Sequence, residues 1–514
     1  MHPRKFVRDS VGYAFAQYTV RAALMLRGLI AARFLGPEAY GAWNAIQIMI
    51  DYGPLASAGT QSGLDQMVPP RIVSGDAAAL ARVKRAALFN IILLTSLFVA
   101  ACMAALVFGH SRMLRSWGFV GVGAAMVCAL SVNVSYYQTS IMRSHGDIAT
   151  ASGWMMLQGA VGGCLGLAFL PWLHAWGLLL GWMTGCLAAF VYSSVRSRIH
   201  APLIARPAAE SFDLVQVGFP MFVFTASTQI MRNLDRLIIL RYVSTEALGY
   251  YSLSVMALTF LMYMPDSISY VIYPRLLREY GESGQKPESI RPQVERVLQL
   301  FSLLVPPLCA LAFLASQPAV QMLLPKFLPG VGALRVLCFG AAALAFSGLA
   351  SIVLMTVGRQ LMLMPAAIFG VGLYAILDLF AVKSGHGIVG VAWGTLTAYA
   401  ASSAVLLTMM LWSLGVSAAR GARMLARLYA PMLLALGLAM GLERVMPWAG
   451  RLGAGWIALR LGASLAAFAG LYFAAVYPLT RGMGLIQVLS ETNVPVIGPL
   501  LRRLRAGRGG GEGA

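Results

Sequence analysis

The chain has 514 residues, 59% of them hydrophobic and 11% charged, and no soluble domain of that size hides so much apolar surface in one core. Lysine plus arginine (39) exceeds aspartate plus glutamate (19), for a net charge of +20. The basic residues sit mostly in short loops between apolar stretches, where the positive-inside rule and anionic headgroups explain them without a nucleic-acid partner.

Apolar stretches of roughly 20 residues, each long enough to cross ~30 Å of hydrocarbon, follow one another along the chain. They predict an all-α polytopic membrane protein with about fourteen transmembrane helices: 11–33, 42–65, 86–108, 117–141, 148–170, 173–195, 214–240, 247–273, 297–316, 330–357, 360–382, 387–412, 425–446 and 455–478. The first stretch carries Arg21 and Arg27 and no small-residue cleavage site follows it, so it reads as a retained helix. The polar segment 196–213, with Pro202 and Pro207, separates an N-terminal six-helix bundle (1–195) from a second one (214–412). Two further helices (413–478) and an Arg- and Gly-rich tail (479–514) complete the chain.

An even number of helices puts both termini on one side, and the loops on that side hold most of the lysines and arginines, which makes it the cytoplasmic side. Reporter fusions at both termini and in the 196–213 linker are therefore expected to report the cytoplasm; periplasmic labelling of the linker would overturn this topology.

The two bundles share a repeat. Residues 33–44 read RFLGPEAYGAWN, and 208 positions later residues 241–252 read RYVSTEALGYYS. Arg33/Arg241, Glu38/Glu246, Ala39/Ala247 and Gly41/Gly249 are identical, and Phe34/Tyr242 and Trp43/Tyr251 are matched aromatics. Pro70-Arg71 and Pro274-Arg275 are expected just after the second and eighth helices, at equivalent places. Such duplication predicts two like-oriented bundles around a central cavity, the arrangement in which transporters place their substrate site.

The AARFLGPEAYG run and the second-half NLDRLIILRYVSTEALGYYS resemble the polysaccharide transporters of the multidrug/oligosaccharidyl-lipid/polysaccharide (MOP) flippase superfamily, the Wzx-type flippases. The resemblance implies a non-enzymatic flippase that carries undecaprenyl-diphosphate-linked oligosaccharide units across a bacterial inner membrane, for O-antigen, capsule or exopolysaccharide assembly. It implies alternating access, and a polymerase and a chain-length regulator as partners. Two other readings stand beside it. A cation-coupled multidrug exporter of the same superfamily would want acids in its cavity, against which Arg21 and Arg27 count. A membrane-embedded polymerase or ligase would want a sizeable outer loop, and none is predicted.

A charge inside a membrane helix costs at least ~2.5 to 3.5 kcal/mol at its centre, so intramembrane charges mark cavities, partners or pathways. Arg21 and Arg27 lie about 120° apart on one helix, close enough to reach one space, and guanidinium forks suit a diphosphate. Alternatively Arg21 snorkels to the interface and Arg27 pairs with an acid of the seventh helix. Arginines at this spacing also resemble the cationic cavity of lipid II flippases, but the residues before Pro265, Phe260 to Met264, include no arginine to match the one expected there. The seventh helix carries Arg232, Asp235 and Arg236, with Asp235 the repeat mate of Arg27. Asp235 either faces Arg27 across the bundle interface or pairs with its own neighbours. Asp51, Asp266 and Asp378 are candidates for coupling to a proton or sodium ion, or are structural polar contacts beside kinks and helix ends.

No cofactor or metal centre is predicted. The histidines are dispersed, and the six cysteines lie in apolar segments without a CxxC pair, as small core residues. Gly159, Gly162, Gly163 and Gly166 fall mid-helix with no preceding strand, which reads as close helix packing and not as a nucleotide loop.

Overall fold

The computed structural model describes residues 3–108, 112–197, 200, 203–446 and 454–480. The Arg-rich tail from 481 onward and the side chain of Arg21 lie outside the described residues. Among the described residues every regular element is helical.

The helix α1 (Pro3–Tyr52) consists of two arms that meet at Gly36, where φ is 73°. Glycine enters that left-handed region without a Cβ clash, and Pro37 then restarts a helix whose first N–H needs no acceptor. The second arm, 37–52, runs through a 3₁₀ turn (Gly53–Ser57) into α2 (Thr60–Ser74). The second transmembrane helix, expected unbroken over 42–65, thus starts earlier, breaks in its middle and continues to Ser74. In hydrocarbon the carbonyls freed by such a break need donors. Asn133 supplies one, its Nδ2 donating to the Gly53 carbonyl at 2.9 Å, and Gln61 Nε2 in turn donates to Asn133 Oδ1 at 3.2 Å.

The first half is completed by α3 (Ala77–Phe108), α4 (Arg112–Ser144), α5 (Ile148–Leu173) and α6 (Ala175–Arg196). The second half holds α7 (Glu210–Tyr242), α8 (Thr245–Glu282), α9 (Arg291–Leu323), α10 (Val331–Cys338), α11 (Gly340–Thr356), α12 (Leu363–Lys383) and α13 (Gly387–Ser413). The short α10 and α11 meet at Phe339 and make one membrane span. Two appended helices follow, α14 (Ala418–Val445) and α15 (Ala454–Thr480). Twelve described spans are long and apolar enough to cross a membrane. Together with the first arm of α1 and the broken second helix they make the expected fourteen, and the chain is a multi-pass membrane protein. Pro70 and Pro274 lie inside α2 and α8, not beyond them as expected, because both helices continue past their apolar windows as polar extensions.

Packing follows the small residues. A Cβ on Gly181 would come within 2.2 Å of the Gly166 nitrogen, and one on Gly185 within 2.7 Å of Gly162 Cα, so the glycines of α5 bring it against α6 as expected. Four cysteines are buried, but Cys164 is exposed on the outside of the helices. The appended helices rest on α9: Ser302 Oγ donates to the Leu428 carbonyl at 2.9 Å and Tyr472 to the Leu303 carbonyl at 3.2 Å. Arg335 of α10 pairs with Glu443 of α14 at 2.5 Å.

Two seams join the halves. In the first, the second arm of α1 crosses α8. A Cβ on Gly41 would lie 1.9 Å from the Thr245 carbonyl oxygen, and a Cβ on Gly249 the same 1.9 Å from that of Pro37. Gly41 and Gly249 are repeat mates, and so are Pro37 and Thr245, so each half offers the other the same contact. Beside this crossing Phe327, buried, wedges edge-on between Tyr40 and Tyr250, with ring centroids 6.0 and 6.1 Å apart. In the second seam α2 meets α7, where Cβ atoms on Gly63 and Gly218 would each come within 2.0 Å of a carbonyl of the other helix.

Candidate functional site: a cationic cavity between the halves

Between the seams lies a cavity of about 320 Å³, within the range of small-molecule sites. Both halves build it: Arg27, Tyr40, Trp43 and Trp182 come from the first, Arg236 and Tyr263 from the second. Among the described residues its lining contains two guanidinium groups and no carboxylate, a positive charge that favours an anion over a cation.

Arg27 is buried, 6% exposed. Its guanidinium carbon lies 5.0 Å from the ring centroid of Trp43 and 5.1 Å from that of Trp182. A desolvated cation–π contact is worth about 2 kcal/mol, while removing a cation from water costs several kcal/mol even after relaxation. The two indoles hold the group in place and offset part of that cost; a bound anion would offset the rest. Two donors in the same wall are buried without a hydrogen-bond partner, Nε1 of Trp182 and Nε of Arg236. Buried orphan donors each cost ~1 to 3 kcal/mol, which a ligand rich in acceptor oxygens would recover.

Asp235 and Arg236 are adjacent in α7 and so point about 100° apart. Arg236 lines the cavity, whereas Asp235 is not in its lining and is 2% exposed inside the second half. Asp235 Oδ1 accepts the Arg236 backbone N–H at 2.8 Å, and Tyr251 and Tyr374 lie within electrostatic reach of the carboxylate. Asp378 is fully buried in the same cluster, with Thr395 Oγ1 3.5 Å from each of its carboxylate oxygens and 3.4 Å from the Tyr374 hydroxyl. Tyr251 approaches Thr395 at 3.3 Å. A Cβ on Gly394 would sit 2.6 Å from Asp378 Oδ1, so the absence of a side chain there makes room for the carboxylate.

The other candidates are dispersed. Arg232 is exposed one turn before Arg236 and outside the cavity lining. Asp51, half-buried at the end of the second arm, accepts from Gln47 Nε2 at 3.4 Å. Asp266 is half-buried just after Pro265 in α8. The structure therefore brings Arg27 together with Arg236, and Asp235 together with Asp378. Sequence reasoning did not single out Trp182 or the tyrosine cluster. The available signals were Tyr374 and Asp378, one helical turn apart in an otherwise apolar helix, and a tryptophan in the middle of α6.

The sequence profile of a family described as "Polysaccharide biosynthesis protein" matches residues 30–331. No curated protein matches the chain by sequence. By fold it is similar to the lipid II flippase MurJ in an inward closed conformation, at TM-score 0.69 and 12% identity, over 91% of this chain and 100% of that one. It is also similar to an inward-facing multidrug resistance MATE family transporter of the MOP superfamily, at TM-score 0.64 and 15% identity, over 81% and 99%. A MOP superfamily transporter from Pyrococcus furiosus, described as having a binding pocket of reverse polarity, matches at TM-score 0.56 and 16% identity, over 82% and 95%. The fold is that of the MOP superfamily.

Proposed function

The chain belongs to the polysaccharide biosynthesis protein family, and from that premise we propose that it flips lipid-linked oligosaccharide units across a bacterial inner membrane by alternating access. The observation that carries this reading is the cavity between the halves, with Arg27 and Arg236 in its wall, orphan donors on Trp182 and on Arg236 itself and, among the described lining residues, no acid. A diphosphate is the anion common to such carriers, and forked guanidinium groups bind it through several charge-assisted hydrogen bonds. Multidrug export of cations fits this lining poorly. In the native host, deletion of the gene should leave lipid-linked oligosaccharide on the cytoplasmic leaflet and remove surface polysaccharide, and re-expression should restore both. Unchanged surface polysaccharide in the deletion strain would refute the reading.

Energy input belongs to the second half. Two carboxylates, Asp235 and Asp378, share one buried cluster with Thr395 and two tyrosines. Like charges so placed are relieved by a proton or a sodium ion. Asp378→Asn is expected to reduce glycan export about tenfold or more and to abolish its dependence on the coupling cation, measured by leaflet accessibility of the lipid-linked glycan in vesicles with and without an imposed gradient. Undiminished gradient dependence in this variant would remove Asp378 from coupling.

A further inference from the structure

One intramembrane cation is used by neither the anion site nor the carboxylate cluster. Arg232 lies inside the α7 span, Glu210–Tyr242. It is exposed, and it makes no hydrogen bond or ion pair among the described residues. Facing lipid, such a guanidinium would be costly to keep, and its helix face shows what it meets instead. At about 100° per residue, Thr225, Gln229, Arg232 and Arg236 fall within about 60° of one another, on one stripe of α7. Gln229 Nε2 donates to the Asp51 carbonyl of the first half at 3.3 Å, and Arg236 lines the cavity, so the stripe faces the first half. Thr225 is exposed on it too, its hydroxyl donating to the Met221 carbonyl at 2.9 Å. A polar track about three turns long therefore leads along α7 to the cavity wall. Arg232 is the cation on that track, one turn or about 6 Å from Arg236, on the side nearer the 196–213 linker.

We propose that Arg232 is an outer phosphate site, a way-station that holds the diphosphate of the carrier lipid before it moves one turn on to Arg236 and Arg27. The proposal rests on the anion-site reading above. Arg27 is buried and Arg236 half-buried, whereas Arg232 is exposed. The first two suit an anion that stays; the third suits one that is met and passed on. A cation on the way in lowers the barrier to entry and to exit alike, because it stabilises the anion in transit and not in its final place.

Rates separate this role from that of the cavity arginines. Full-length protein in detergent is mixed with farnesyl diphosphate, a short isoprenyl diphosphate, and binding is followed by stopped-flow tryptophan fluorescence, with Trp43 and Trp182 beside Arg27 as reporters. Arg232→Gln is expected to slow association and dissociation alike, each about tenfold at low salt, and to leave Kd within about twofold of wild type. The defect should shrink as salt is raised, and Arg232→Lys, which keeps the charge, should restore most of the rate. Arg236→Gln should instead raise Kd. Arg232→Ala gives the same reading should the glutamine variant not fold. Association at the wild-type rate in the neutral variants, or a Kd raised about fivefold or more, would overturn the way-station and leave the resident site standing. No binding by wild type would overturn the anion-site reading and this proposal together.

Discussion

Alanine in place of Arg27 is expected to abolish glycan export while leaving the protein's abundance in the membrane near normal. The side chain packs between Trp43 and Trp182 and bridges no helices through an ion pair among the described residues, so its removal relieves a buried charge instead of leaving one unmatched. What is lost is the deeper of the two guanidinium groups in the cavity wall. Charge-assisted hydrogen bonds are worth about 1.5 to 3 kcal/mol each, which for a group making one or two of them is roughly tenfold to ten-thousandfold in affinity for a diphosphate. Arg27→Lys should recover part of export, since it keeps the charge but not the planar fork that fits between two indoles. A complementation assay, with farnesyl diphosphate binding measured in parallel, checks both variants. Full export by the alanine variant at normal abundance would remove Arg27 from the mechanism.

The second large effect is expected at the crossing of α1 with α8. Any side chain at Gly41 or Gly249 places its Cβ 1.9 Å from a backbone carbonyl oxygen of the other half, where ordinary contact begins near 3.4 Å. Backbone cannot yield as a flexible side chain would, so the helices must separate by about 1.5 Å, in a packed interface where overpacking costs ~1 to 3 kcal/mol. Gly41→Ala and Gly249→Ala should each lower export by about tenfold or more. Each should also raise the reactivity of a cysteine placed at Ser252, which lines the cavity, toward a membrane-impermeant thiol reagent applied from the side of the crossing. Gly437 of α14 supplies the control, because a Cβ there meets nothing within 4 Å, and Gly437→Ala should change neither readout. Closed, inactive protein in the two crossing variants would show that this seam does not govern access.

Much of this architecture is legible in the sequence because lipid leaves few choices. Apolar runs of fixed length announce spans, and the matched Gly41 and Gly249 announced a duplication before their contact was known. The break at Gly53–Ser57 was hidden, since a run that reads as one apolar helix gives no sign that Asn133, eighty residues away, will satisfy the freed carbonyl. The site was half visible. Arg27 declared itself as a charge deep in an apolar helix, but the direction of the charges on α7 did not follow from repeat arithmetic. Asp235 occupies the position equivalent to Arg27, yet a helix turns 100° per residue, and small differences in how each half seats its helix decide which of two neighbours faces the cavity. The tyrosines near Asp235 come from α8 and α12, and only tertiary packing brings them to it.

The reciprocal crossing has a consequence for how such a chain arose. Pro37 against Gly249 and Thr245 against Gly41 are two images of one contact, the isologous pattern that two identical subunits make about a twofold axis. A half-length ancestor could have used this same glycine to embrace a second copy of itself before fusion joined them. Fusion leaves the two faces free to differ, and they do: position 27 is an arginine and its repeat mate 235 an aspartate, the one in the cavity wall and the other buried behind it. The glycines could not follow, because each is pressed against its partner's backbone, and a change in either is felt by both.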